Sequence, residues 1–380
     1  MEHIRQLASL VVLLTCFLAA SNIQGQGKQG SEITKAVFDQ MRSTGVKHSN
    51  FKSWDNSAYP WDYIVVMRDV GKRFGLPPDK MRDLVSQWAQ SKEGKSGDSE
   101  AARSFFLIQD FVAAKEHSKK ALHEKMRLSG NLDATGNITR IKDLKNPDAK
   151  SGIEDWLLMA DCANAEDNVL ESMMIYQKVL NVIPEGNWPT NAWPDVHARV
   201  IQKVGNCFLQ LYRRNGEKEG SPQNMMGKAQ YAYLTALKYY TQAESPIVWA
   251  QTKCALAAAM LDSGLVRTVG APLAQEAAGH CRDALKVFTR EKWPVCWAEA
   301  QMYLGHALST EAAKRAASPD TKERNMKVGL LKQADKAYEE ALGVLTAEAA
   351  SSVHFTIKER RGLIAEELAE ALKSEANTKP

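Results

Sequence analysis

One spacing in the second half of this chain restricts it to stacked pairs of helices. Ala229, Tyr233, Ala236 and Leu237 are followed by Ala277, Cys281, Ala284 and Leu285, and then by Ala334, Tyr338, Ala341 and Leu342. The order small, larger, small recurs at intervals of three and four residues, which place each set on one face of a helix. Between these sets lie helical stretches carrying Val204-Gly205, Leu256-Ala257, Leu304-Gly305 and Arg361-Gly362. A small residue lets two helices approach closely, and the bulkier side chain of the partner fills the groove beside it. One such pair cannot bury both its faces, so neighbours must stack to make a continuous core. The expected fold is all-α: an α-solenoid of degenerate helix pairs preceded by an N-terminal helical segment.

The starts of the first helices repeat as well. Trp193-Pro194-Asp195-Val196-His197, Ser245-Pro246-Ile247-Val248-Trp249 and Trp293-Pro294-Val295-Cys296-Trp297 open three of them, and Val353-His354 takes the equivalent place in the last. Proline suits a helix's first turn, where its missing N–H would have no partner anyway. His197, Trp249, Trp297 and His354 stand 52, 48 and 57 residues apart, longer than the common helix-pair repeat of about 34 residues. The excess is assigned to loops at Arg213–Gln223, Leu265–Pro272 and Ala316–Val328, which are rich in Gly, Pro, Ser and charge.

Upstream, Phe111, Ala114 and Ala121-Leu122 mark the second helix of a unit beginning near Ser99. Trp156, Met159, Ala160, Ala163, Ser172, Tyr176, Val179 and Pro184 follow the spacing of one tetratricopeptide unit, and the run Ala284-Leu285-Lys286-Val287-Phe288-Thr289-Arg290-Glu291 continues through Trp293-Pro294 and Trp297 to Leu304-Gly305 and Ala307-Leu308. This pattern resembles the bacterial tetratricopeptide repeat proteins, over about residues 98–372. The resemblance implies a right-handed superhelix whose first helices line a concave surface, and a role as a scaffold for other proteins.

The N-terminus differs from the rest. Met1-Glu2-His3-Ile4-Arg5 precedes the apolar run Leu10–Ala20, a layout that reads as a secretory signal peptide cleaved after Ala20 or near Gly25. Cleavage before Cys16, as in a lipoprotein, is the lesser alternative. The chain is therefore divided into a signal peptide (1–25), a linker and small helical region (26–97), a repeat array (98–350) and a C-terminal capping helix and tail (351–380). The mature chain is expected to be secreted or periplasmic, without stable membrane insertion, because the apolar run is short of the roughly 20 residues a span needs. Within the second segment, an aromatic loop at Trp54–Trp61 leads to helices over Asp62–Phe74 and Pro78–Gln90, with a shorter helix at Ile33–Met41. The second of these helices has an apolar face at Met81, Leu84, Val85 and Trp88 and no basic surface for DNA.

Chemistry is hard to assemble from the residues. No metal-binding His pair, nucleophile elbow, Walker loop or dinucleotide-binding glycine pattern occurs. A net charge of +4 with scattered basic residues gives no field for a nucleic acid. Cys162, Cys207, Cys254, Cys281 and Cys296 lie in apolar helical stretches without metal-ligand spacing, and read as buried thiols. His197 and His354 occupy the place of Trp in other repeats and read as packing residues. The chain is thus expected to be non-catalytic and without cofactor, binding a protein or peptide.

First-helix positions flanking the small residues place Asp161, Asn164, Arg199, Gln202, Asn206, Gln210, Gln251, Asp262, Glu299 and His306 on the concave face. Their mixture of amides and both charges suits a peptide backbone or a polar partner segment. The alternative is a carbohydrate- or solute-binding helical protein, using Trp188 and Trp193 on a Pro- and Asn-containing loop as exposed rings.

Overall fold

The computed structural model describes residues 29–39, 70–91, 99–143, 145–183, 193–215, 222–262, 270–315 and 321–376. The segment expected to be a signal peptide, the stretch Trp54–Trp61 expected to form an aromatic loop, and Trp188 lie outside them. About 81% of the described residues are helical and none forms a strand. The fold is all-α and repeat-like, built from consecutive helices packed on one another.

The chain parts into two compact units, with the boundary between Asn168 and Val169. The Trp156–Pro184 pair therefore has its first helix in one unit and its second in the other. Unit 1 contains α1 (29–39), α2 (70–74), α3 (Pro78–Gln90), α4 (Ser99–Leu107), α5 (Phe111–Leu128) and α6 (Pro147–Ala165). Helix α3 has the bounds expected from the sequence, because Pro78 opens it and Gly75, at φ 65°, turns the chain ahead of it. Asp110 caps α5 by accepting from the Ala113 N–H, and Asn146 caps α6 by accepting from those of Asp148 and Ala149.

Unit 2 contains α7 (Val169–Val182), α8 (Pro194–Asn215), α9 (Pro222–Ala236), α10 (Pro246–Asp262), α11 (Ala271–Leu285), α12 (Pro294–Lys314), α13 (Thr321–Leu342) and α14 (Ala347–Ala376). Each helix packs on the next, and the first helices α8, α10 and α12 also touch in sequence. They therefore form one layer of the stack.

The repeat is reproduced at the level of single hydrogen bonds. At the end of three second helices, Tyr240, Phe288 and Leu345 donate their N–H to the carbonyls of Ala236, Ala284 and Ala341. All three donors bury their side chains. Thr241 and Thr289 follow, and their hydroxyls accept from the N–H of Glu244 and Lys292. Each turn then delivers the chain to Pro246 or Pro294 at the start of the next first helix. The close approach anticipated at the small residues is also present. A Cβ added to Gly205 would lie 2.9 Å from the Tyr233 ring, and one added to Gly305 would lie 2.9 Å from the Tyr338 ring. Both tyrosines are fully buried.

Several boundaries differ from expectation. Helix α8 runs to Asn215, so Arg213 is helical rather than part of a loop. Helix α13 begins at Thr321, inside the stretch assigned to the loop Ala316–Val328. Helix α14 begins at Ala347, ahead of Val353-His354, because Ala347-Glu348-Ala349-Ala350 are strong helix formers with no proline to delay them. Gly362 meets nothing within 4 Å of an added Cβ; α14 is the last described helix, and no later one packs against that position.

Candidate partner-binding face of the second unit

Eight of the ten residues placed on the inner face by the sequence lie in unit 2; Asp161 and Asn164 are on α6 of unit 1. Three of the ten are buried and do not line a surface: Asp161, Gln202 and Gln251. Gln202 Nε2 donates to Thr252 Oγ1 at 2.6 Å, joining α8 to α10. Gln202 thus falls on the flank where α8 meets α10, which spacing from the small residue alone does not separate from the crest. Arg199, Asn206, Gln210, Asp262 and His306 are half-buried, and Glu299 is exposed.

Helical periodicity carries Asn206, Gln210 and Arg213 along one face of α8, and Glu299, Tyr303 and His306 along one face of α12. Arg213 ties the two faces together. Its Nε donates to Asp262 Oδ2 at 2.8 Å, at the last residue of α10, and its Nη2 donates to Tyr303 Oη at 3.0 Å. One side chain thus links three successive first helices, reaching from the last turn of α8 to the last residue of α10 and the middle of α12. The Tyr233 hydroxyl donates to Asn206 Oδ1 at 2.9 Å and fixes the orientation of that amide.

His306 sits deep in this arrangement. Burial pushes its pKa down to about 3, helped by the nearby Arg360 and Arg213 guanidiniums, so the imidazole is neutral at pH 7. Tyr303 is pushed up to about 12, again chiefly by burial. Tyr338, fully buried, is raised by burial, with Arg360 and Ser309 beside its hydroxyl. The Gln210 Oε1 is buried and has no hydrogen-bond partner among the described residues.

Arg213, Tyr303 and Arg360 were not foreseen. Arg213 was hidden because Arg213-Arg214-Asn215-Gly216 reads as the start of a polar loop. Tyr303 could have been found from its place one turn after Glu299 and one turn before His306. Trp193, one of the two rings considered for a sugar, is only 3% exposed and packs at the start of α8.

Unit 1 holds a polar cluster that resembles nucleophile chemistry at first sight. Lys125 Nζ donates to Ser99 Oγ, to Ser151 Oγ at 2.7 Å and to Asp155 Oδ2 at 2.7 Å, and Ser99 Oγ donates to Asp155 at 2.9 Å. All three ammonium protons are engaged, and Lys125 cross-links α4, α5 and α6. Cys162, Cys207, Cys254, Cys281 and Cys296 are buried and none is in a disulfide. Burial pushes Cys281 up to about 12 and Cys162 higher still. Among the described residues no group of three or more His, Cys, Asp or Glu is arranged to hold a metal ion, and no helix is long and apolar enough to cross a membrane. No protein-family model matches the chain, and no curated protein matches it.

Proposed function

We propose that this chain is a non-catalytic scaffold of the tetratricopeptide kind, exported by its apolar leader, which receives a polar segment of a protein partner on the face formed by α8, α10, α12 and α14. The observation that carries this reading is the bare Gln210 Oε1. A buried acceptor without a donor costs about 1–3 kcal/mol, a cost removed when a ligand N–H reaches it. An extended segment lying across the first helices would supply such a donor. Arg199 and Asn206, further along the same side of α8, would extend the contact. The sugar-binding alternative loses one of its two rings, since the buried Trp193 has no face to offer.

The test starts from the full chain immobilised and used to recover its partner from the native envelope fraction. Affinity for that identified partner is then compared between wild type and Arg199→Glu with Gln210→Ala. Weakening by at least about tenfold is expected from the loss of one charged and one neutral contact. Equal affinity would show that the partner docks elsewhere.

A further inference from the structure

Residues 129–143, which follow α5, are the longest described stretch outside the helices. They carry the one Asn-x-Ser/Thr triplet in the 380-residue sequence, Asn137-Ile138-Thr139. Such a triplet is the acceptor sequence for an N-linked sugar on a secreted chain, and a bulky glycan needs its asparagine at the surface of the folded protein.

The turn around Asn137 meets that requirement. Leu132 and Ile138 pair as an isolated antiparallel bridge, and the Asp133 N–H donates to the Asn137 carbonyl at 2.9 Å. Gly136, at φ 82°, takes the left-handed conformation that closes the turn. Asp133 Oδ1 accepts from the N–H groups of Thr135 and Asn137, each at 2.9 Å, and from the Thr135 hydroxyl at 2.7 Å. The Asn137 side chain is exposed. Its Nδ2 donates to Thr135 Oγ1 at 2.7 Å and, at the longer distance of 3.4 Å, to Asp133 Oδ2. A primary amide has two N–H bonds. Exchanging one of them for a sugar leaves the other for Thr135, and the backbone bonds of the turn are untouched.

We propose that Asn137 is an N-glycosylation site, filled by transfer from a lipid-diphosphate-linked oligosaccharide. This rests on the export proposed above, which brings the chain to the compartment where the donor is used. Transfer forms a bond from Asn137 Nδ2 to C1 of the first sugar and breaks the bond from C1 to the diphosphate oxygen. The lipid diphosphate leaves with the electron pair, and the amide proton passes to a base of the transferase. Thr139, whose hydroxyl completes the acceptor triplet, is half-buried, and its Oγ1 is shielded from solvent. Its N–H donates to the Asn131 carbonyl at 2.9 Å. The transferase therefore acts before this turn closes, and the folded turn then carries the sugar outward.

The full chain is purified from its native source and treated with a peptide:N-glycosidase in heavy-oxygen water, which releases the sugar and leaves a labelled aspartate at position 137. Mass spectrometry should find that labelled peptide, and the intact mass should fall on treatment. Asn137→Gln and Thr139→Val should each abolish the modification, while Thr139→Ser should keep it. Thr139 Oγ1 has no hydrogen-bond partner among the described residues, so valine removes no bond from the fold and the circular dichroism should match wild type. A second version carries a leader of proven export in place of residues 1–25. Sugar on that version alone supports the site and removes export by the native leader. An unmodified Asn137 on chain recovered from the envelope or the medium overturns the proposal, whichever leader brought it there. Modification of Asn137 that survives Thr139→Val overturns it as well.

Discussion

Replacing Gly305 by alanine tests how the helix pairs are held together. The new Cβ would sit 2.9 Å from Tyr338 Cδ1 and 3.0 Å from both Cε1 and Cγ. Carbon atoms prefer about 3.5–4.0 Å, so the ring or the α12 backbone must shift by several tenths of an ångström. Tyr338 is 0% exposed and packs from α13 directly on Gly305 of α12. Overpacking of this kind costs about 1–3 kcal/mol. Against it stands the better helix propensity of alanine, about 1 kcal/mol. The net expectation for Gly305→Ala is a loss of up to about 2 kcal/mol. At Gly362 on α14 an added Cβ meets nothing within 4 Å, so the same substitution should stabilise by about 1 kcal/mol. Urea unfolding followed by circular dichroism reads both. In a Tyr338→Leu background the Gly305→Ala penalty should shrink or reverse, giving a coupling of about 1–3 kcal/mol. If Gly305→Ala stabilises as much as Gly362→Ala, the close approach of α12 to α13 is wrong.

Three further outcomes follow from the buried polar groups. Lys125→Met should destabilise unit 1 by about 3–5 kcal/mol at pH 7, because it leaves Asp155, 1% exposed, without its counter-charge. Burial already holds the Asp155 carboxyl above its ordinary value despite Lys125 and Ser99; an acid with a raised pKa is relieved as pH falls through that value, so the Lys125→Met penalty should shrink towards acid. Adding Asp155→Asn to Lys125→Met should recover most of the loss, as read by thermal unfolding. His306 has the opposite sign: with its folded pKa at about 3 against an ordinary 6.5, the unfolded chain takes the proton first, and stability is lost as pH falls between those values. His306→Gln should therefore move the acid-unfolding midpoint to lower pH; an unchanged midpoint contradicts the burial of the ring. The thiols of Cys162, Cys207, Cys254, Cys281 and Cys296 should resist a water-soluble disulfide reagent in the folded chain and react in denaturant, and rapid reaction of the native protein would refute their burial.

Local chemistry was legible where it acts within one turn of backbone. Pro194, Pro246 and Pro294 open their helices as expected because a proline ring fits only the first turn. Gly205 and Gly305 mark the close approaches because any larger residue would strike the facing tyrosine. The inner face was legible only in part. Asn206, Asp262 and His306 were assigned to the inner face from their spacing and are half-buried, yet Gln202 and Gln251 were assigned on the same spacing and are buried. The angle at which one first helix meets the next decides between crest and flank, and that angle is a property of the packed stack. Arg213 shows the converse: a residue in a loop-like sequence becomes helical because α8 extends far enough for its guanidinium to reach Asp262 and Tyr303.

Site-specific photocrosslinking in the native host tests the binding face most directly. A benzophenone side chain is placed at Gln210 on the inner face, or at Tyr231 on α9, which is 72% exposed. Irradiation should yield one discrete adduct from position 210, with the same partner that the immobilised chain retains, and none from position 231. An adduct with that partner from position 231 alone would put the binding surface on the second helices and contradict the inner-face assignment.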